Sequence, residues 1–197
     1  APLMDFAGNS AALYDDILRL VFNAESCGRL QLKQLKKAEG ELSLSVGGFP
    51  AFGIINIGNA ADFAKSGDNY RDEFDTSGDE FSGSLFDTIN TPSGNINFLI
   101  GSKKFTEGWS SWRVSTMGLL NMGKSEGSQI IQLFGRGVRL KGQGYSLKRS
   151  LPGERPHGIH LEKLETLNIF GINADYMEKF REYLAEEGVD TEDIITL

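Results

Sequence analysis

The sequence predicts an α/β fold, a layered sandwich around a mostly parallel sheet. Three observations predict it. Short apolar runs alternate with segments whose apolar residues recur at helical spacing. Clusters of Gly, Pro and Ser punctuate the boundaries between them. With 197 residues, 40% of them hydrophobic and 24% charged, the chain can bury a core without covalent staples. The single cysteine, Cys27, excludes an internal disulfide framework and any zinc site built on several cysteines, and is itself expected to be a small buried hydrophobe.

Taken in order, the elements read as follows. Ser10 is expected to cap a first helix whose face carries Leu13, Tyr14, Ile17, Leu18 and Val21. Residues 30–37 suggest a second, basic-apolar helix. Alternation over 42–46 predicts a strand, and Gly47-Gly48-Phe49-Pro50 breaks it. Residues 52–58 read as a buried strand ending in a turn. The polar, acidic, Gly-rich stretch 66–84 is expected to be a surface loop or insertion. It fails as a calcium loop, because a glycine at Gly78 puts Ser84 where a bidentate Glu is needed. Residues 96–100 predict a central strand, 101–110 a loop, 112–120 a strand and 126–139 a helix running into Gly135 and Gly137. A basic loop spans 141–156, and one more strand lies within 161–172. Asn173 is expected to cap a last helix with the stripe Met177, Phe180 and Leu184, ended by Gly188. No internal repeat is visible.

Charge is segregated along the chain. The total is -7, but residues 1–98 carry -7, residues 99–158 carry +7 and residues 159–197 carry -7. A basic block between two acidic ones suits a phosphate-bearing partner. No run approaches the roughly 18 apolar residues of a membrane span, and the start has neither the basic nor the apolar region of a signal peptide. A cytoplasmic location is the expectation. Because the chain opens on Ala1 rather than Met, it is expected to be part of a longer protein.

Two motifs bear on chemistry. Gly118-Leu119-Leu120-Asn121-Met122-Gly123-Lys124-Ser125 fits G-x-x-x-x-G-K-[ST], in which backbone N–H groups cradle phosphates at a helix N-terminus. Leu119, Leu120 and Met122 suit a buried strand better than such a cradle. Gln132-Leu133-Phe134-Gly135-Arg136-Gly137-Val138-Arg139 fits Q-x-x-G-R-x-x-R. On a helical turn, arginines three apart project to one side, where two guanidiniums can grip a γ-phosphate. An arginine so placed can raise phosphoryl-transfer rates by about 10³–10⁵.

Gln132–Arg139 resembles motif VI of superfamily 2 helicases. Ser102-Lys103-Lys104-Phe105-Thr106-Glu107-Gly108-Trp109 resembles motif V, and the order and separation of the two match the second RecA-like domain of these motors. The wording is most similar to the helicase subunit of type III restriction enzymes and its DEAD/DEAH-box relatives. The resemblance is specific over 96–149 and looser over 54–57 and 164–188.

It implies a RecA-like three-layer sandwich over 1–172 and a helical connector over 173–197. It implies half of an ATP hydrolase, with ATP and Mg held mainly by a missing first RecA-like domain. Arg139, with Arg136, would be the catalytic arginine finger. Gln132, Gly108 and Glu107 would lie at the nucleotide, and Ser102, Lys103 and Thr106 at the nucleic-acid backbone. The implied partners are double-stranded DNA, the first RecA-like domain of the same parent and a modification methyltransferase subunit. Nuclease activity would lie elsewhere in the endonuclease. Ser110 stands where many relatives carry Asp, so no ribose contact is assigned there.

Two other readings belong to different classes. One is a self-contained P-loop protein using Lys124 and Ser125. The other is a non-catalytic DNA-binding module on a degenerate motor fold. Trp109 and Trp112 are read mainly as packing residues. Lys141, Lys148, Arg149 and Arg155 are candidates for tracking a DNA backbone. His157 and His160 lack a third ligand nearby, so no metal site is assigned.

Overall fold

A computed structural model describes residues 7–67, 70, 72–101, 110–120, 132–135, 137, 141–146, 148–156 and 160–172. The chain divides into two compact units, Ala1–Trp109 and Ser110–Leu197.

The first unit is built on a five-stranded sheet. Its strands are β1 (Leu30–Leu35), β2 (Glu41–Val46), β3 (Gly53–Asn56), β4 (Phe74–Asp79) and β5 (Phe98–Gly101), in the order β4-β1-β2-β3-β5. β1 pairs parallel with β4, β3 pairs parallel with β5, and β2 lies antiparallel between β1 and β3. Four strands therefore run one way and β2 alone runs back. The α/β class with a mostly parallel sheet is present, with one reversed strand at its centre.

Each face of the sheet has its own cover. Leu30 and Leu32 of β1, Leu42, Leu44 and Val46 of β2 and Ile55 of β3 form one apolar face. Helix α2 (Ala60–Gly67) packs on it through Ala60 and Ala64. On the other face, Ile54 of β3 meets Leu99, Ile89, Ile96, Leu85 and Phe86, supplied by β5 and the segment around the 3₁₀ turn Phe86–Thr88. All six residues of β2 are buried, as a central strand covered on both sides requires.

Helix α1 (Ser10–Val21) lies at the periphery. Its N-cap is Asn9, whose Oδ1 accepts from Ala12 N at 3.2 Å, and not Ser10. Its face is half-buried at Leu13, Leu18 and Val21, while Tyr14 and Ile17 stay exposed. The carboxyl end is well anchored. Asn97 Nδ2 donates to the carbonyls of Leu20 and Val21, and Phe22 packs edge-on against Phe52 and stacks on Phe98. Asn23, at φ 53, donates from Nδ2 to Ala51 O and Asn95 O, both at 2.8 Å. Asn is among the few side chains that tolerate this left-handed backbone.

Further expectations are corrected here. Residues 30–35 form a strand, not a helix, because Leu30 and Leu32 pair across Val46 and Leu44. The stretch 66–84 contains strand β4, paired with β1 over its whole length. Among the described strands β5 lies at the end of the sheet rather than its centre. Cys27 is exposed.

In the second unit, β6 (Thr116–Leu120) pairs parallel with β7 (Asn168–Ile172). Residues 132–135 and 137 are helical, and Phe134 and Leu119 form a small core with Met117, Leu133 and Ile169 around it. A one-turn helix, Leu161–Leu164, precedes β7. Trp112 is 46% exposed, against the expectation of packing, and Trp109 lies outside the described residues. Residues 173–197, the expected helical connector, also lie outside them. No helix among the described residues is long and apolar enough to cross a membrane.

Candidate functional site

Ligands in open α/β sheets bind at the carboxyl ends of the parallel strands, where loops lead into helices and leave backbone N–H groups free. In the first unit β1, β3, β4 and β5 end on the same edge, at Leu35, Asn56, Asp79 and Gly101. A cleft of about 430 Å³ opens there between the β1–β2 turn and the β3–α2 loop. Gln34, Lys36 and Gly40 line one side, and Gly58, Asn59 and Ala60 the other.

The cleft's shape follows from two local devices. Gly40, at φ +75, brings the turn against the loop, and a Cβ there would lie 2.7 Å from Ile57 O. Ile57 N in turn donates to Gly40 O at 3.1 Å. Across the cleft Asn59 starts α2: its Oδ1 accepts from Asp62 N at 3.1 Å, and its carbonyl accepts from Phe63 N. The amide Nδ2 of Asn56, a residue only 8% exposed, makes no hydrogen bond among the described residues.

Beside Asn56 in the register stands Glu41, 1% exposed, whose Oε1 accepts from Ser84 Oγ at 2.7 Å. A carboxylate this deep is tolerable only with hydrogen bonds, and this one ties the 84–96 segment to the sheet. At the end of β4, Asp79 accepts from Ser82 N, Ser82 Oγ and Phe81 N within 2.7–2.9 Å. These donors, the Ser82 backbone first, lower its pKa to about 2. Asp79 closes a turn and is not poised for proton transfer. Lys36 is engaged by Glu80 in an ion pair.

The residues that resemble motif V begin where β5 ends. Gly101 is the last described residue of that strand, and Ser102, Lys103, Thr106, Glu107 and Gly108 lie outside the described residues. Of the residues that resemble motif VI, Gln132 is described: it is exposed on the helical stretch that Phe134 anchors against Leu119. Arg136 and Arg139 lie outside the described residues. Gly137, at a variable position of the run, is buried, and a Cβ there would come within 2.7 Å of Leu167 and Met117, whereas a Cβ at the run's fixed glycine, the exposed Gly135, would meet nothing within 4 Å. Ser110 is exposed.

The P-loop pattern does not start a loop. Gly118, Leu119 and Leu120 belong to β6 and pair with Phe170, Gly171 and Ile172, and Leu119 is in the core. A phosphate cradle needs these first positions free of a strand ladder. Lys124 and Ser125 lie outside the described residues.

The basic loop is less free than its sequence suggests. Arg149 Nε donates to Glu165 O at 3.0 Å, and its NH2 reaches Thr166 Oγ1 at 3.3 Å. Arg155 donates to Ser150 Oγ and O at 3.0 and 2.9 Å, and pairs with Glu165 at 3.6 Å. Glu165 also accepts from Ser150 N and Oγ, which holds its carboxyl below the usual range. Two of the four candidate backbone-tracking cations thus serve as internal ties. His160 stands 3.5 Å from Glu162, His157 lies outside the described residues, and no group of three metal-ligating side chains occurs among the described residues.

Sequence reasoning missed the carboxyl-edge cleft. The signal was present as Gly58-Asn59 directly after a buried strand, the usual chemistry of a strand-to-helix turn. Comparison with known proteins adds no name to this geometry: no family model, no curated protein and no solved structure matches the chain.

Proposed function

We propose that this chain is the second RecA-like domain of a superfamily 2 helicase or translocase. The nearest likeness is to the helicase subunit of type III restriction enzymes. The observation that carries the reading is the run Gln132–Arg139, Q-x-x-G-R-x-x-R, placed 30 positions after Ser102 at the head of a motif V-like run. Two structural facts support it. Gln132 faces solvent on a stretch held by Phe134 and the close packing at Gly137. The motif V-like run follows directly from β5 at the carboxyl edge, the edge that serves ligands in α/β sheets.

In this reading ATP lies between two RecA-like domains. The first domain holds the triphosphate and its Mg ion. Arg139 and Arg136 reach the γ-phosphate and neutralise the charge that spreads over it in the transition state. Gln132 senses the nucleotide, and Glu107 and Gly108 complete the pocket from the motif V side. Ser102, Lys103 and Thr106 hold phosphates of double-stranded DNA, whose affinity is electrostatic and independent of sequence. Closure on ATP and opening after hydrolysis alternate the grip and move the motor. A methyltransferase subunit would supply site recognition. The self-contained P-loop reading has no comparable support, since β6 occupies the positions such a loop needs.

The test is Arg139→Ala in the full motor, measured as DNA-stimulated ATP turnover. The expected result is a fall in kcat of about 10³-fold or more, with ATP affinity changed little. Unchanged turnover overturns the reading and favours a non-catalytic module.

A further inference from the structure

The loop 141–146 carries a backbone that ordinary loops avoid. Gly144 and Tyr145 are consecutive left-handed residues, at φ 65 and φ 62. Glycine takes this conformation freely, whereas a bulky aromatic there is strained. Packing does not offset the strain, because Tyr145 is 80% exposed. Hydrogen bonds hold the loop in place: Gly142 N donates to Ser146 O at 2.8 Å, and Tyr145 N donates to Gly142 O at 3.0 Å. Downstream, Ser146 Oγ accepts from Lys148 N, and Arg149 and Arg155 fasten the following residues to Glu165.

A hydrogen-bonded loop with a strained backbone that exposes an aromatic ring has the form of a binding platform. Its charge indicates the ligand. Lys141 Nζ sits 5.8 Å from the Tyr145 ring centroid, Lys148 is exposed three residues on, and both belong to the +7 block of residues 99–158. An exposed ring beside cations fits an unpaired base with its phosphates. We infer that Tyr145, with Lys141 and Lys148, forms a stacking site for single-stranded nucleic acid, engaged by one unpaired base and its flanking phosphates. The inference relies on the motor reading only for the identity of the polymer as DNA. In that setting the site takes a base from a locally opened strand. Sequence reasoning took the two tryptophans mainly for packing residues and passed over this tyrosine, although Gly142 and Gly144 around it mark the special backbone.

Binding of the 197-residue chain to two labelled probes tests this. One is an oligothymidylate of about 20 nucleotides, long enough for a strand-binding groove. The other is an abasic oligomer with the same number of phosphates. The wild type is expected to prefer the oligothymidylate by about tenfold, the scale of one base–aromatic stack. Tyr145→Ala and Tyr145→Gly should abolish the preference and leave abasic binding unchanged, while Tyr145→Phe keeps it. Glycine accepts the left-handed backbone without strain, so Tyr145→Gly serves as the folded control with an unchanged or higher Tm. The inference is overturned if the wild type binds neither probe, if it shows no preference, or if Tyr145→Gly retains the preference. Failure of the motor reading registers separately, as ATP turnover indifferent to Arg139→Ala, and leaves the binding result standing.

Discussion

At the scale of single residues, Gly40 bears most on the carboxyl-edge cleft. It needs its positive φ, and it needs the missing side chain, because Ile57 O lies 2.7 Å from where a Cβ would be. A backbone carbonyl cannot step aside as a flexible side chain can. Gly40→Ala is therefore expected to cost about 2–3 kcal/mol, combining left-handed strain with a steric clash. Gly58→Ala, where a Cβ meets nothing within 4 Å, should cost less than about 1 kcal/mol. Urea unfolding of both variants checks the contrast, and equal losses would show that the Gly40 contact is not what joins turn and loop. Gly40 was not singled out in the sequence, since a lone glycine after Ala38-Glu39 announces a turn but not what the turn touches. Caps were legible only to within a residue: Asn9 and Ser10 are both good N-caps, and the helix used the first. Arg149 and Arg155 were legible as charge but not as ties, because their partner Glu165 lies across a loop whose path the sequence does not reveal.

At the scale of elements, strands with a clear apolar or alternating signature were readable, and strands of mixed or polar sequence were not. β2 and β3 are buried throughout; alternation over 42–46 predicted the first and the apolar run within 52–58 the second. β1 misled because Leu, Lys and Gln favour helices, while its leucines at 30, 32 and 35 fit either period. Pairing with β2 decided the matter. β4 pairs on one side only among the described strands, and Phe74 is its one large apolar residue, so FDTSGD reads as loop. The turn that ends β4 gives a pH prediction. Asp79 is held down to about 2 from an ordinary 3.8 by the Ser82 and Phe81 donors. A lowered carboxyl pKa contributes stability that is complete above the unfolded value. It is lost as pH falls from about 3.8 towards about 2. Asp79→Asn should lower the urea midpoint at pH 7, and the gap to wild type should narrow between pH 4 and pH 2. A gap that stays constant with pH would mean that the Ser82 and Phe81 bonds do not depend on the carboxylate charge.

At the scale of the whole molecule, the α/β class was legible because strand-like apolar runs and helical-period segments both occur along the chain, although β1, β2 and β3 follow one another with no helix between them. The reversed central strand was not legible, since periodicity carries no strand direction. The proposed chemistry rests on a division of labour that this chain alone can test. A split-site ATPase domain supplies arginines but no phosphate cradle, so the isolated 197-residue chain should bind Mg-ATP negligibly and hydrolyse none. The structure makes the same demand from another side. A Walker-type loop would have to begin at Gly118, but Gly118, Leu119 and Leu120 are laddered to β7, and Leu119 is packed under Phe134. Freeing them for a phosphate would break parallel pairing and expose part of the second unit's small core, at a cost of several kcal/mol. Calorimetry of Mg-ATP against the isolated chain decides between the two. Negligible heat agrees with arginines lent to a nucleotide held elsewhere. Tight binding lost in Lys124→Ala would mean that β6 opens to form a cradle after all, and the arginine-finger role of Arg139 would fall with it.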